Sequence, residues 1–184
     1  MLLRGYLANG ERQAALRGTD LGGTSAPAFT LYDHNGVEVS LASLQGHPVV
    51  LTFMSTRCAS DCPVATKLHT AMQSLGGKAE NVGWVAVSTD PVADTAANAQ
   101  SFVRKYQLGG MRYLLGDEAR LMPVWQAYHV PVELDASTAP ASAGGGSAFQ
   151  AVGLYLIDGQ GRERVYLDSN FAPGMLEGDL RALL

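Results

Sequence analysis

The chain has only two cysteines, Cys58 and Cys62, with three residues between them. A bridge across so short a loop removes little chain entropy, so the pair cannot be the framework of a 184-residue protein and its value is chemical. Long apolar runs are missing too. The longest, residues 48–54 (PVVLTFM), is broken by Thr52 and is strand-sized, far short of the roughly 18 to 20 residues that span a bilayer. Residues 1–12 carry only a few apolar side chains before Asn9, Gly10, Glu11 and Arg12, too few for the apolar region of a signal peptide. Either the protein is cytosolic, or an export or anchor segment precedes this sequence. No cluster of basic residues exists: 13 Lys and Arg are scattered against 17 Asp and Glu, a formal net charge of -4. That composition excludes the electrostatic footprint of a nucleic-acid binder and argues against anionic membrane surfaces.

What is present describes one packed domain. Hydrophobic residues make up 47% of the chain and charged ones 16%, a balance suited to a globular core. Residues 1–21 show no clear periodicity and run into Gly22, Gly23, Thr24 and Ser25, so they read as a leader before a domain over 22–184. Phe29, Leu31, Val37, Val39 and Leu41 alternate with polar residues around an Asn35-Gly36 turn, which predicts an opening β-hairpin. Residues 48–54 predict a strand buried on both faces, leading directly to Cys58. After Cys62, Pro63 opens a helical pattern of Val64, Leu68, Met72 and Leu75 that stops at Gly76-Gly77. A second buried strand over 82–87 leads past Asp90-Pro91 to a helix with Ala99, Phe102, Val103 and Tyr106 on its apolar face. Then come a short strand at 113–115 and a helix capped by Asp117 that carries Leu121, Met122, Trp125 and Tyr128. Residues 136–148 (ASTAPASAGGGSA) are low in complexity and predict a loop; 152–158 and 162–167 predict a hairpin, and a helix follows Pro173. The expected fold class is α/β: a mixed sheet flanked by helices, with an N-terminal hairpin.

The cysteines therefore fall at a strand-to-helix turn, Thr56-Arg57-Cys58-Ala59-Ser60-Asp61-Cys62-Pro63. Unpaired N–H groups and the helix dipole favour a thiolate there, and Arg57 is expected to add to the effect. A thiolate pair serves thiol–disulfide exchange or the binding of a soft metal such as Cu(I), and the pattern alone does not separate them. Asp61, between the cysteines, either caps the helix or raises a thiol pKa by repulsion.

On these residues the chain resembles the Sco/SenC family, thioredoxin-like proteins of copper delivery and thiol redox chemistry in cytochrome c oxidase assembly. The resemblance is carried by Phe29-Thr30-Leu31, by residues 46–53 (GHPVVLTF) running into Thr56-Arg57-Cys58 and Cys62-Pro63, by Ser88-Thr89-Asp90-Pro91 with Asp94-Thr95, and by residues 154–158 (LYLID) before Gly161. It implies a thioredoxin-like fold over about 22–184, with Cys58 and Cys62 as the paired sulfur ligands or redox thiols. It also implies a periplasmic or other extracytoplasmic site of action, with the membrane reached only through an N-terminal anchor. Two positions depart from the family pattern. Ala59 stands where a proline usually follows the first cysteine, and Gln150 stands where the family's third metal ligand, a histidine, is expected. Glutamine offers a hard amide oxygen, while Cu(I) prefers thiolate, thioether or imidazole.

Most of the other histidines do not replace that ligand on sequence grounds. His69 lies seven residues beyond Cys62, about 10 Å along a helix. His129 is the remaining candidate; His34 and His47 read as exposed turn and loop residues, and Met54 and Met122 as core. Asp90 and Asp94 read as turn and capping residues. The expected function is a thiol–disulfide oxidoreductase acting on cysteines of a copper-receiving or oxidase-assembly partner, with Cys58 attacking and Cys62 resolving by thioredoxin analogy and no cofactor required. The alternative is a Cu(I) carrier using the same two cysteines. A peroxiredoxin-like peroxidase is a third reading, weakened because Thr56-Arg57-Cys58 is one residue short of Thr-x-x-Cys.

Overall fold

The run VVLTFM forms a strand in which every residue is buried, because neighbouring strands pair with both its edges and helices cover both its faces. A computed structural model describes residues 16–58, 62–131 and 152–184. The strands are β1 (Thr19–Asp20), β2 (Thr30–Asp33), β3 (Glu38–Ser40), β4 (Val49–Met54), β5 (Gly83–Ser88), β6 (Arg112–Leu115), β7 (Val152–Ile157) and β8 (Glu163–Leu167). The helices are α1 (Pro63–Leu75), α2 (Ala96–Lys105), α3 (Glu118–Ala127) and α4 (Pro173–Leu183). The eight strands form one mixed sheet in the order β1-β8-β7-β4-β5-β6-β2-β3, with β4, β5 and β6 parallel and the remaining pairs antiparallel.

Alternation along β4 divides the core in two. Val50 and Met54 face a cluster with Leu68 and Met72 of α1, Phe102 of α2 and Leu176 and Leu180 of α4. Val49, Leu51 and Phe53 face the other side, against Leu121 and Trp125 of α3. Each such side chain contributes about 1.5–3 kcal/mol by leaving water, so β4 is the best-anchored element and a rigid base for the segment that follows it.

The hairpin, the helix starting at Pro63 and the closing hairpin and helix stand where the sequence predicts them. One strand does not follow from the sequence. Thr19 and Asp20 pair with Tyr166 and Val165 of β8, and Asp179 of α4 accepts the N–H groups of Arg17 and Gly18 at 2.6 and 3.1 Å. Two exposed polar residues on a sheet edge leave no hydrophobic period to read. The low-complexity stretch 136–148 lies outside the described residues.

Two helices end on a left-handed residue other than glycine. After α3, His129 has φ +52°, its N–H bonds to Gln126 O at 3.2 Å, and Val130 N–H bonds to Trp125 O at 2.8 Å. Gln107 does the same after α2, with φ +53° and buried Leu108 closing onto Val103 O at 3.0 Å. This paired closure satisfies carbonyls that a helix end otherwise leaves without partners.

Candidate functional site

β4 ends at Met54, and the chain turns at once through Ser55, Thr56, Arg57 and Cys58. The turn is tightly tied: Cys58 N–H donates to Ser55 O at 3.0 Å and Arg57 N–H to Ser55 Oγ at 3.1 Å. Residues 59–61, including Ala59, Ser60 and Asp61, lie outside the described residues. Cys62 is the N-cap of α1, with Pro63 in the first turn, and Thr66 N–H begins the helix ladder on Cys62 O at 3.1 Å. Cys58 and Cys62 are joined by a disulfide with Cα atoms 5.4 Å apart.

The two sulfurs have unequal surroundings. Cys62 is fully buried in the α1 side of the core, whereas Cys58 is half-buried and packs against its edge. An incoming group therefore reaches Cys58 first. The N–H of Cys62 donates to the Tyr106 hydroxyl at 3.0 Å.

Asp94 is the group that sequence reasoning missed. It is buried, and its two oxygens collect donors from three elements. Oδ1 accepts Thr56 N–H at 2.8 Å, Thr56 Oγ1 at 2.7 Å and Ser55 Oγ at 3.3 Å. Oδ2 accepts Ser88 Oγ at 2.7 Å, and the Tyr113 hydroxyl, 3.1 Å away, shares its proton with Met54 O at 2.8 Å. One oxygen thus holds the cysteine turn and the other holds the ends of β5 and β6. Burial, followed by the charge of Asp94 and its hydrogen bond, pushes the Tyr113 phenol well above its ordinary range. Thr95, not Asp94, caps α2, accepting Asn98 N–H at 3.2 Å.

Asp90 does act in its turn, accepting Ala93 N–H at 3.0 Å, but its other oxygen takes the Arg57 guanidinium, with Nε at 2.7 Å and an ion pair to Nη2. The expected contribution of Arg57 to a thiolate is corrected by this pairing. A neighbouring carboxylate balances the cation, so less of its field reaches sulfur.

The histidines are dispersed. His34 was expected to be exposed in its turn; it is buried, and its Nδ1 accepts Tyr113 N–H at 3.2 Å, a demand that arises only because β2 pairs with β6. His47 is exposed, and His69 lies 3.1 Å from Gln107 O through Nδ1. The charge of His129 is felt by Glu163, whose carboxyl burial pushes upward and His129 pulls back. Glu163 pairs with Ile157 and Ile157 with Val49, at the end of β4 away from the cysteines. Gln150 lies outside the described residues. Among the described residues, no group of three His, Cys, Asp or Glu side chains is arranged to hold a metal.

A strand, a tied turn, a cysteine pair at a helix start and an acidic turn beyond the second parallel strand now define the site, and the SCO1/SenC family model matches residues 18–184. The chain belongs to the SCO1/SenC family. The thioredoxin-like fold expected from the sequence is borne out. Bradyrhizobium japonicum ScoI, solved with copper bound, superposes with a TM-score of 0.68 at 26% identity, covering 88% of this chain and 100% of that one. BsSco, described as having a disulfide switch and as a member of the Sco family of cytochrome c oxidase assembly proteins, gives a TM-score of 0.70 at 20% identity over 91% of this chain and 96% of that one, a likeness of fold. Chloroplastic peroxiredoxin Q of rice (Oryza sativa subsp. japonica) is 34% identical over 112 residues, covering 61% of this chain and 48% of that protein. The chain spans about half the length of the peroxiredoxins it matches.

Proposed function

We propose that this Sco-family chain is a thiol–disulfide oxidoreductase whose working groups are Cys58 and Cys62. The observation that carries the reading is the asymmetry of the pair, a half-buried Cys58 disulfide-bonded to a fully buried Cys62 at the start of α1. In the reduced protein the Cys58 thiolate attacks one sulfur of a partner disulfide, forming a mixed disulfide and expelling a partner thiolate. Cys62 then loses its proton and attacks Cys58 sulfur, expelling the second partner thiolate and closing the internal disulfide. Two electrons pass to the partner, two protons leave the protein thiols, and a dithiol donor restores the reduced pair. At the α1 N-terminus the helix dipole favours a Cys62 thiolate while burial among apolar side chains opposes it, which leaves the half-buried Cys58 as the first attacker.

Copper enters this reading as cargo. The reduced pair supplies two thiolates, a donor set that Cu(I) accepts, and B. japonicum ScoI carries copper on the same fold. A Cu(I) carrier is accordingly the second reading, and Gln150 is where the two part. The partner is a protein bearing a disulfide or a copper site, of the oxidase-assembly kind named for BsSco. We place the protein outside the cytoplasm, as the family resemblance implies; among the described residues no helix is long and apolar enough to cross a membrane.

The test is competition for Cu(I) between the reduced protein and a strong chelator, with the wild type beside Gln150→His. Weak wild-type binding, tightened about tenfold or more by the histidine, supports redox work by a chain with two soft ligands. Tight wild-type binding, unmoved by the substitution, overturns that reading in favour of the carrier.

A further inference from the structure

Cys62 is the N-cap of a 13-residue helix, makes no side-chain capping bond, and is followed by Pro63, which has no N–H. Its own N–H is one of the groups a helix start leaves without an internal acceptor. The acceptor comes from 44 residues away, the Tyr106 hydroxyl at 3.0 Å. Tyr106 is the residue on which α2 ends, and its ring is fixed from two directions. The Phe102 ring lies 4.7 Å away between centroids, and Lys105 Nζ sits 4.9 Å from the ring centroid. The hydroxyl is thus presented by a ring already ordered, so holding Cys62 costs little additional side-chain entropy.

Reduction removes the covalent tie between the sulfurs. Cys58 then keeps its bond to Ser55 O, and the turn behind it keeps Asp94. Cys62, buried among apolar side chains, keeps the bond from its N–H to the Tyr106 hydroxyl. The second half of exchange requires Cys62 sulfur to approach Cys58 sulfur in line with the bond it breaks, and misplacement of about 1 Å in such a step is costly. We propose, resting on the thiol–disulfide reading above, that Tyr106 is a positioning residue for the resolving step: its hydroxyl holds the Cys62 backbone where the buried sulfur can attack a mixed disulfide on Cys58.

The experiment uses the full reduced chain and dithiobis-nitrobenzoate, an aromatic disulfide that reports both steps in one trace. Attack by Cys58 releases the first coloured nitrothiobenzoate anion and leaves a mixed disulfide; attack by Cys62 on Cys58 sulfur releases the second and closes the internal bond. Tyr106→Phe removes one oxygen and keeps the ring. The first phase is expected to stay within about twofold of wild type, and the second to slow about two- to tenfold, the range that loss of one hydrogen bond gives. Equal slowing of both phases means general loosening and overturns the assignment, as does a second phase that does not move. A wild type that releases one anion and never a second removes the redox reading, and this inference with it; a biphasic wild type with an unchanged variant removes the inference alone.

Discussion

Replacing Asp94 should cost more stability than any other single polar change near the cysteines, and the structure sets the size of the loss. In Asp94→Ala the Tyr113 hydroxyl keeps Met54 O. The Thr56 N–H and the buried Ser88 and Ser55 hydroxyls lose the acceptors they have at 2.8, 2.7 and 3.3 Å. Three stranded donors at about 1–3 kcal/mol each give a loss of about 6 kcal/mol. For a protein of this length that is a fall in melting temperature of about 15 °C. Asp94→Asn keeps one carbonyl oxygen but turns an amide NH2 toward donors, so it should lie between wild type and alanine. Thermal melts followed by circular dichroism, with urea titrations at 25 °C, give both numbers. Ser88→Ala combined with Asp94→Ala should cost less than the sum of the two by about 1 kcal/mol, because the double variant strands one donor fewer. Melting within about 2 °C of wild type for both single variants would show that Asp94 is not the bolt between the cysteine turn and the sheet.

Two further predictions concern residues away from the cysteines. At Asp158, burial acts to raise the carboxyl, but the Arg162 N–H and guanidinium and the Gln160 N–H outweigh it and leave the pKa below its ordinary value. A depressed folded-state pKa contributes stability above the unfolded carboxylate value and loses it as pH falls through the folded one. Asp158→Asn should therefore cost about 1–2 kcal/mol at pH 7 and converge on wild type in acid, a trend read from urea titrations across pH; a gap that widens in acid would reverse the assigned sign. His129→Gly should raise the melting temperature, since glycine relieves about 1 kcal/mol at the left-handed φ of +52° that closes α3. The same variant should leave Cu(I) affinity unchanged in the chelator competition, and a fall in affinity would return His129 to the site as a ligand.

The elements that carry the cysteines are legible because their signals are local. Residues 49–54 are β-branched and aromatic on both faces, Pro63 and the 3.6-residue spacing mark α1, and Gly36, at φ +79°, sits in the Asn-Gly turn that the hairpin needs. What is not legible depends on partners far along the chain. Asp94-Thr95 has the composition of a helix cap, and the cap is indeed Thr95, which left nothing to distinguish Asp94 as an inward-facing hub. The available clue was the demand side. Ser55, Thr56 and Ser88 place hydroxyls at the ends of two adjacent buried strands, and buried hydroxyls need acceptors. His34 and Tyr106 were hidden for the same reason, since their partners, Tyr113 and Cys62, lie 79 and 44 residues away.

The kinship with peroxiredoxin Q bears on what the turn before Cys58 is built to do. A peroxidase needs donors turned toward the oxygen that leaves when a thiolate attacks a peroxide. The side chains directly preceding Cys58 are Thr56 and Arg57, and each is committed elsewhere: the Thr56 hydroxyl lies 2.7 Å from Asp94 Oδ1, and the Arg57 guanidinium pairs with Asp90. Both carboxylates stand on the segment between β5 and α2, so the two residues before Cys58 fasten the cysteine turn to the sheet. A turn fixed on its N-terminal side suits the exchange proposed above, with a partner sulfur and then with Cys62, where the leaving group is a thiolate that needs far less help than alkoxide or hydroxide. The short Thr-x-Cys spacing has the same consequence. It brings the threonine N–H and hydroxyl onto Asp94 together, which ties the turn before Cys58 to the segment between β5 and α2.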